Sequence, residues 1–409
     1  MNSSTSSSRS IFARVLLVTV LGMGAALGLV RAYAAALGAS GEAFLGRVLQ
    51  ARAALPQIIA EEDDLVIFYG SSMVQAGFSA RVFDRELTER GAEVKAFNFG
   101  FGGLNPLFQD YFARRIRETF EAEDREIKLT LIEFNPFQTT KTRYEGAVSS
   151  IDAYVGMLAS RQELRDILFE DPTRGVRILN IHHLRDDVSA EMATFYFGDE
   201  MGFLPPVPES DLPEDEANQE RLEALGERMG EKFDEEYPDY EPAAWNWGWQ
   251  GAGTIPSERS EETLQIFEDY YAALTTDKHM TDDKLWRQYS ADVSNLDFEE
   301  ELVAAFIRLV GEFQQISEHV EVVLLPRNTE WIVYTPEVQA RLDGVVQRIR
   351  DETGVTVRDF QVIDAVSNDM FSDTTHLGRY IGDVPFTRFL VDHYAESLGA
   401  RVADDEPTS

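Results

Sequence analysis

Leu65-Val66-Ile67-Phe68-Tyr69-Gly70-Ser71-Ser72 is a compact apolar run that stops at a glycine and opens into small polar residues. An unbroken apolar run with β-branched and aromatic members reads as a buried strand, and the glycine marks a tight turn at its end. Residues 81–90, closed by Gly91, follow as a helix. The same unit recurs outward. Residues 92–98 form a second strand ending in Gly100-Phe101-Gly102-Gly103, residues 106–120 a helix, and residues 128–134 a third strand. Strands at 320–325 and 355–359, separated by a helix at 336–351, and a last helix at 385–398 complete the series. This alternation predicts an α/β fold, a flavodoxin-like three-layer parallel sheet covered by helices, with ligands beyond the carboxyl ends of the strands. Function is therefore expected just after each strand.

Composition narrows the classes. The chain has 409 residues, 44% of them hydrophobic and 11% aromatic, enough for a sizeable core. A net charge of −35 repels nucleic-acid phosphates over most of the surface, so nucleic acid is not expected as a partner. The absence of cysteine excludes disulfides, thiolate-bound zinc and iron-sulfur clusters. Six lysines against 31 arginines, with 72 acids, would suit a salt-rich medium as well as ordinary solubility.

Residues 1–40 are a different material. A Ser-rich start with Arg9 and Arg14 leads into the uncharged run 15–30 and then Arg31, the layout of a signal anchor or signal peptide. If Arg14 snorkels, residues 11–30 supply the roughly 20 needed to cross a bilayer. Positive charges ahead of the segment place the N-terminus in the cytoplasm and the rest at the extracytoplasmic face. Cleavage near Ala32-Tyr33-Ala34 would instead release the remainder to the periplasm or medium.

The sheet is expected in two parts, residues 60–137 and 318–400, followed by a tail at 401–409. Between them residues 138–317 make an excursion far longer than the ~2–6-residue connection of an α/β unit, hence an inserted cap or subdomain. Helical patterns occupy 149–168 and 260–274. Residues 208–242 carry fourteen acids against three bases, a solvated or loosely helical face. No D-x-[DN]-x-[DN]-G loop supports calcium binding there.

The chemistry gathers at the strand ends. Of the adjacent Ser71 and Ser72 at the turn after the first strand, one could expose its hydroxyl at the sheet edge, or the pair could merely cap a helix. Asp373-Thr374-Thr375-His376, between the last strand and the last helix, supplies from one short loop the imidazole that deprotonates a serine and the carboxylate that fixes its tautomer. Backbone N–H of Gly102 or Gly103 and the side-chain amide of Asn135 are candidate donors to an oxyanion. Each alone is equally a turn residue; together, four loops at one edge bring what one mechanism requires.

These motifs resemble the SGNH (GDSL-type) hydrolase superfamily, in the family order: Gly70-Ser71-Ser72, Asn98 to Gly103, Asn135, and Asp373-x-x-His376. The resemblance covers residues 64–138 and 320–398. It implies the SGNH hydrolase fold, Ser72 as nucleophile, His376 as general base and Asp373 as its orienter. It also implies an oxyanion hole from the Ser72 N–H, the Gly103 N–H and the Asn135 side chain, with no metal or organic cofactor. Ser71 stands where the family usually has Asp, and Glu133 and Pro136 where Gly and Asp are common. The Gly-Ser-Ser form, the N-terminal anchor and the insertion look more like membrane-anchored members acting on envelope polymers, such as the alginate O-acetylation and teichoic-acid D-alanyl transfer proteins. The expected activity is a serine esterase or acyltransferase acting on O-acyl, above all O-acetyl, esters of an extracytoplasmic carbohydrate. A membrane-bound O-acyltransferase or polysaccharide synthase is the partner this implies. The rival reading is a non-catalytic binding or scaffold protein of an envelope polysaccharide assembly. No G-x-S-x-G elbow suggests an ordinary α/β-hydrolase.

Other residues are weighed the same way. Trp245, Trp247 and Trp249 alternate so as to share one side of an extended segment, suited to sugar rings or to packing. Arg327, just past the fourth strand, is a candidate for binding an anionic substrate group or for local pairing. Glu133 is expected to cap a helix or form a salt bridge rather than tune the site. His393 reads as a packing histidine, and His182-His183 with Asp186-Asp187 as surface rather than metal ligands.

Overall fold

The computed structural model describes residues 5–37, 46–148, 151–184, 208–213, 215–236, 260–379 and 381–401. The chain divides into two compact units, residues 1–49 with 149–201 and residues 50–148 with 202–409.

The first unit holds the helix Thr5–Leu37, whose 20-residue stretch Ser10–Leu29 is long and apolar enough to cross a membrane. Its apolar side chains, Phe12, Leu16 and Leu29 among them, are exposed. Three shorter helices, Ile151–Leu158, Arg161–Glu170 and Pro172–Leu184, belong to the same unit. The helical pattern over 149–168 is carried by the first two of these, which part at Ser160. There the serine side chain accepts the Glu163 N–H at 3.2 Å while the Glu163 carboxylate accepts the Ser160 N–H at 2.7 Å. This reciprocal cap satisfies two orphan donors and starts a new helix.

The second unit is built on five parallel strands, β1 Asp64–Ser71, β2 Val94–Phe101, β3 Ile127–Glu133, β4 Ser317–Leu324 and β5 Thr356–Asp359, in the order β2-β1-β3-β4-β5. This order is also that of doubly wound sheets of the flavodoxin type, and its switch point, between β1 and β3, is where such sheets open a crevice. Alternation assigns the faces. Tyr69 turns to Phe112 and Phe313, on the helices Pro106–Ala122 and Glu300–Gln314. Its neighbour Phe68 and Val66 pack on the opposite face with Phe83 and Leu87 of Ala80–Glu89 and Phe386 and Leu390 of Asp383–Tyr394. Burial on both faces is why these strands read as continuous apolar runs.

Two elements differ from expectation. β2 runs on to Phe101 rather than ending at Asn98, because Gly100 lets the strand pass against the turn after β1: a Cβ there would lie 2.1 Å from the Gln75 amide nitrogen. The helix Glu300–Gln314, read as part of the excursion, buries Leu302, Phe306, Leu309 and Phe313 as the sheet's own cover, so the excursion ends ahead of it. Its two ends are tied together where they leave the sheet, Lys141 N–H to Asp297 C=O at 2.9 Å and Glu299 N–H to Thr139 C=O at 2.8 Å. Within this unit the excursion contributes the helices Lys141–Val148, Glu216–Glu236, Glu261–Leu274, Asp277–Asp282 and Lys284–Asn295.

Candidate active site

Ser72 opens the short helix Ser72–Gly77 directly off the end of β1. Ser71 caps that helix, its hydroxyl accepting the Met73 N–H at 3.2 Å, so the capping role considered for the serine pair falls to Ser71 and leaves the Ser72 hydroxyl free to face outward. That hydroxyl lies 2.7 Å from His376 Nε2, and His376 Nδ1 lies 2.7 Å from Asp373 Oδ2. The other Asp373 oxygen accepts the N–H groups of Thr375 at 2.8 Å and His376 at 2.7 Å, which locks the carboxylate in its own turn. With the proton on Nδ1 held by Asp373, Nε2 is left as acceptor for the serine hydroxyl.

Electrostatics match this arrangement. Burial works against a charged His376, but the Asp373 carboxylate and its hydrogen bond, with Glu133 and Asp283 further off, raise its pKa above the ordinary 6.5. Burial works against ionised Asp373 too, yet the His376 charge and the three hydrogen bonds hold it below the usual carboxylate value.

The expected oxyanion donors stand at the ends of β2 and β3, on either side of β1. Asn135, just past β3, is buried, its Oδ1 taking the Phe137 N–H at 3.2 Å and its Nδ2 lying 3.1 Å from Ser71 Oγ and 3.3 Å from Met73 Sδ. Gly103 has φ +76°, as at the third position of a type II turn closed by Leu104 N–H to Phe101 C=O at 3.4 Å. Gly102 is the glycine whose missing Cβ faces the nucleophile, 3.9 Å from Ser72 Cβ; a Cβ on Gly103 would meet nothing within 4 Å. Asn98 fastens β2 to the nucleophile turn, donating to the carbonyls of Val74 at 2.9 Å and Phe78 at 2.6 Å and accepting the Gly100 N–H at 3.0 Å.

No family model matches this chain, and no curated protein does.

Several expectations are corrected by the contacts. Glu133 neither caps a helix nor pairs with a base: its buried carboxylate accepts the Ser71 N–H at 2.5 Å and the Ser71 hydroxyl at 3.0 Å. Arg327 turns into its own loop, its guanidinium 4.3 Å over the Tyr334 ring and bonded to the Ile332 carbonyl. With Met73, Asn135 and Thr375 it lines a cavity of about 30 Å³ beside the site rather than reaching Ser72. His393 packs among Phe360, Phe389 and Tyr394, as read. Trp245, Trp247 and Trp249 lie outside the described residues, as do Asp186 and Asp187, while His182 and His183 fall in the helix Pro172–Leu184. Among the described residues no three His, Asp or Glu side chains group as metal ligands.

Two residues of the excursion reach the turn that carries His376, and sequence reasoning missed both. Asp283 accepts the buried Thr374 N–H at 2.9 Å with one oxygen and caps the helix Lys284–Asn295 with the other, at 2.7 Å from Leu285 N. The Tyr271 hydroxyl accepts the Arg379 N–H at 2.9 Å, and Gly378 lies against the Tyr271 ring so closely that a Cβ would come within 2.9 Å of it. An N-cap aspartate is legible in sequence; its second, long-range partner is not. Beside Asp283 and Asp373 lies a cleft of about 540 Å³, walled also by Asn218, Lys278, His279 and Arg287.

Proposed function

We propose that this chain is a serine esterase or acyltransferase of the SGNH type, acting on O-acyl esters of an extracytoplasmic carbohydrate or envelope polymer. The observation that supports it most is the continuous run of 2.7 Å contacts from Ser72 through His376 to Asp373, at the carboxyl edge of a parallel sheet.

In this reading the Ser72 oxygen attacks the ester carbonyl carbon while its proton passes to His376 Nε2. The carbonyl oxygen becomes an oxyanion beside the N–H groups of Ser72 and Gly103 and the Asn135 amide, each such donor contributing on the order of 3 kcal/mol. Collapse of the adduct breaks the C–O bond to the leaving alcohol, which takes the proton back from His376. A water or a sugar hydroxyl then gives up its proton to His376 and attacks the acyl-serine; the acyl C–O bond to Ser72 breaks, the Ser72 oxygen takes that proton back from His376, and the acid or the new ester leaves. Asp373 stays ionised and steadies the imidazolium throughout.

The apolar N-terminal helix supports placing this chemistry at the outer face of the cytoplasmic membrane, close to a membrane-bound O-acyltransferase or polysaccharide synthase. A fluorophosphonate probe separates the enzyme from the scaffold reading. The intact chain is expected to label at Ser72, and Ser72→Ala and His376→Ala to lose ~10⁴-fold or more of aryl-acetate turnover, with the double variant little worse. An unlabelled chain, or a Ser72→Ala variant as active as wild type, rejects the proposal in favour of the scaffold.

A further inference from the structure

We infer that Glu133 is a positioning residue of this site, acting through Ser71 to fix the Asn135 amide and the turn that carries Ser72. The inference rests on the acyl-transfer reading above.

The argument is one of hydrogen-bond polarity. A hydroxyl has one donor and two acceptor positions, and at Ser71 all three are used. Its hydrogen goes to Glu133 Oε1 at 3.0 Å, and its oxygen receives Asn135 Nδ2 at 3.1 Å and the Met73 N–H at 3.2 Å. Glu133 thus forces the Ser71 oxygen to present lone pairs to Asn135. The partner end of Asn135 is set as well, since its Oδ1 takes the Phe137 N–H. The amide is held at both ends, with its NH₂ group toward the nucleophile turn.

The second Glu133 oxygen takes the Ser71 backbone N–H at 2.5 Å, the last residue before Ser72. Two donors converge on two oxygens, an arrangement an ionised carboxylate satisfies completely. An amide has one oxygen and confronts one of those donors with its own N–H. The carboxylate sits in space that Gly70 leaves open, for a Cβ on Gly70 would come within 2.4 Å of Glu133 Oε2. Ser71, Glu133 and Asn135 are all buried, so a polar group that loses its partner there is costly.

Charge adds a second effect. Burial pushes the Glu133 pKa up to about 7, against the Ser71 hydrogen bonds, the His376 charge and the Asn135 amide, which favour the anion. Among ionisable groups, Asp373 and Asp283 join Glu133 in favouring protonated His376, and Arg327 borders the small cavity that Glu133 also lines. An anionic Glu133 therefore keeps His376 protonated to higher pH.

The test uses the full-length protein, an aryl acetate and the fluorophosphonate probe. Glu133→Gln is expected to lower kcat by ~10²-fold with KM within about threefold, the mark of a group that acts on transition-state donors. It should also move the acid limb of kcat/KM to lower pH, because one anion facing His376 is gone. Ser71→Ala, which keeps the Ser71 N–H bond and the Glu133 carboxylate but removes the hydroxyl's bonds to Glu133, Asn135 and the Met73 N–H, should lower kcat while moving that limb less than Glu133→Gln does. The pair Ser71→Asp with Glu133→Ala puts a carboxylate back into the same space from β1 and should recover most of kcat. If Glu133→Gln fails to fold, Ser71→Ala and the paired variant carry the comparison. A wild type that labels while Glu133→Gln and Ser71→Ala label and turn over at its rate, with the same limb, overturns this inference alone. Recovery of thermal stability but not of kcat in the paired variant overturns it too. A wild type that resists the probe removes the ester chemistry and this inference with it.

Discussion

His376 stands between burial, which disfavours its charge, and three carboxylates that favour it, and the carboxylates win. The base must be neutral to accept the Ser72 proton, so activity should rise with pH through a value above the ordinary 6.5 of histidine. A pH profile of kcat/KM on an aryl acetate reads that limb, and Asp373→Asn should lower it while cutting turnover severely. A limb below the ordinary histidine value in the wild type would contradict the assigned carboxylate neighbours. Stability carries the opposite signs for the two acids. Asp373, depressed in the folded chain, contributes stability above its unfolded value of 3.8 and loses it as pH falls. Glu133, raised from 4.5 to about 7, favours folding below 4.5, and that contribution fades as pH climbs to about 7. At this scale the meeting of Ser72, His376 and Asp373 was legible, because a serine just past one strand and a D-x-x-H turn past the last strand lie at the same edge of a parallel sheet. Glu133 was not, since nothing in a sequence shows that a strand-end glutamate faces a serine on the neighbouring strand.

The elements divide into those that announce themselves and those that depend on partners. β1 reads plainly because a strand buried on both faces must be apolar, whereas β4 begins at Ser317 rather than 320, its polar first half Ser317-Glu318-His319 lying outside the buried run. β2 was cut short at Asn98, where glycines suggested a turn; the close approach of Gly100 to the Ser72–Gly77 helix keeps them in the strand. The excursion showed its length but not its reach, and Asp283 and Tyr271 grip the catalytic turn from outside the sheet. Replacing Asp283 by alanine leaves a buried N–H unpaired and a helix uncapped, a loss of about 2–4 kcal/mol by the usual sizes of the two effects. We expect a lower melting temperature and, measured well below it, a kcat reduced by about tenfold from a loosened His376. Tyr271→Phe should show a smaller loss of the same kind. If Asp283→Ala melts early yet keeps full kcat in the cold, the grip serves folding alone.

For the whole molecule, the apolar helix Thr5–Leu37 predicts how the chain distributes between phases. The full chain should stay with membranes on fractionation, whereas a chain starting at Ser40 should be soluble, folded and equally reactive to the probe. Mature protein lacking the first 34 residues in the soluble fraction would indicate a cleaved signal instead, and would leave the chemistry at Ser72 untouched. The distance along the chain between the two halves of the site has a consequence in time. Ser72 and His376 are 304 positions apart, and the strand that covers β3 is made only after the whole excursion. At ~5–20 residues per second, the serine waits roughly 15–60 s of synthesis for its base. Through most of that interval the edge of β3 away from β1 has no neighbouring strand to pair with. The hazard of the fold is concentrated in that wait. It should show as a need for chaperone cover during synthesis, keenest when translation stalls between β3 and β4.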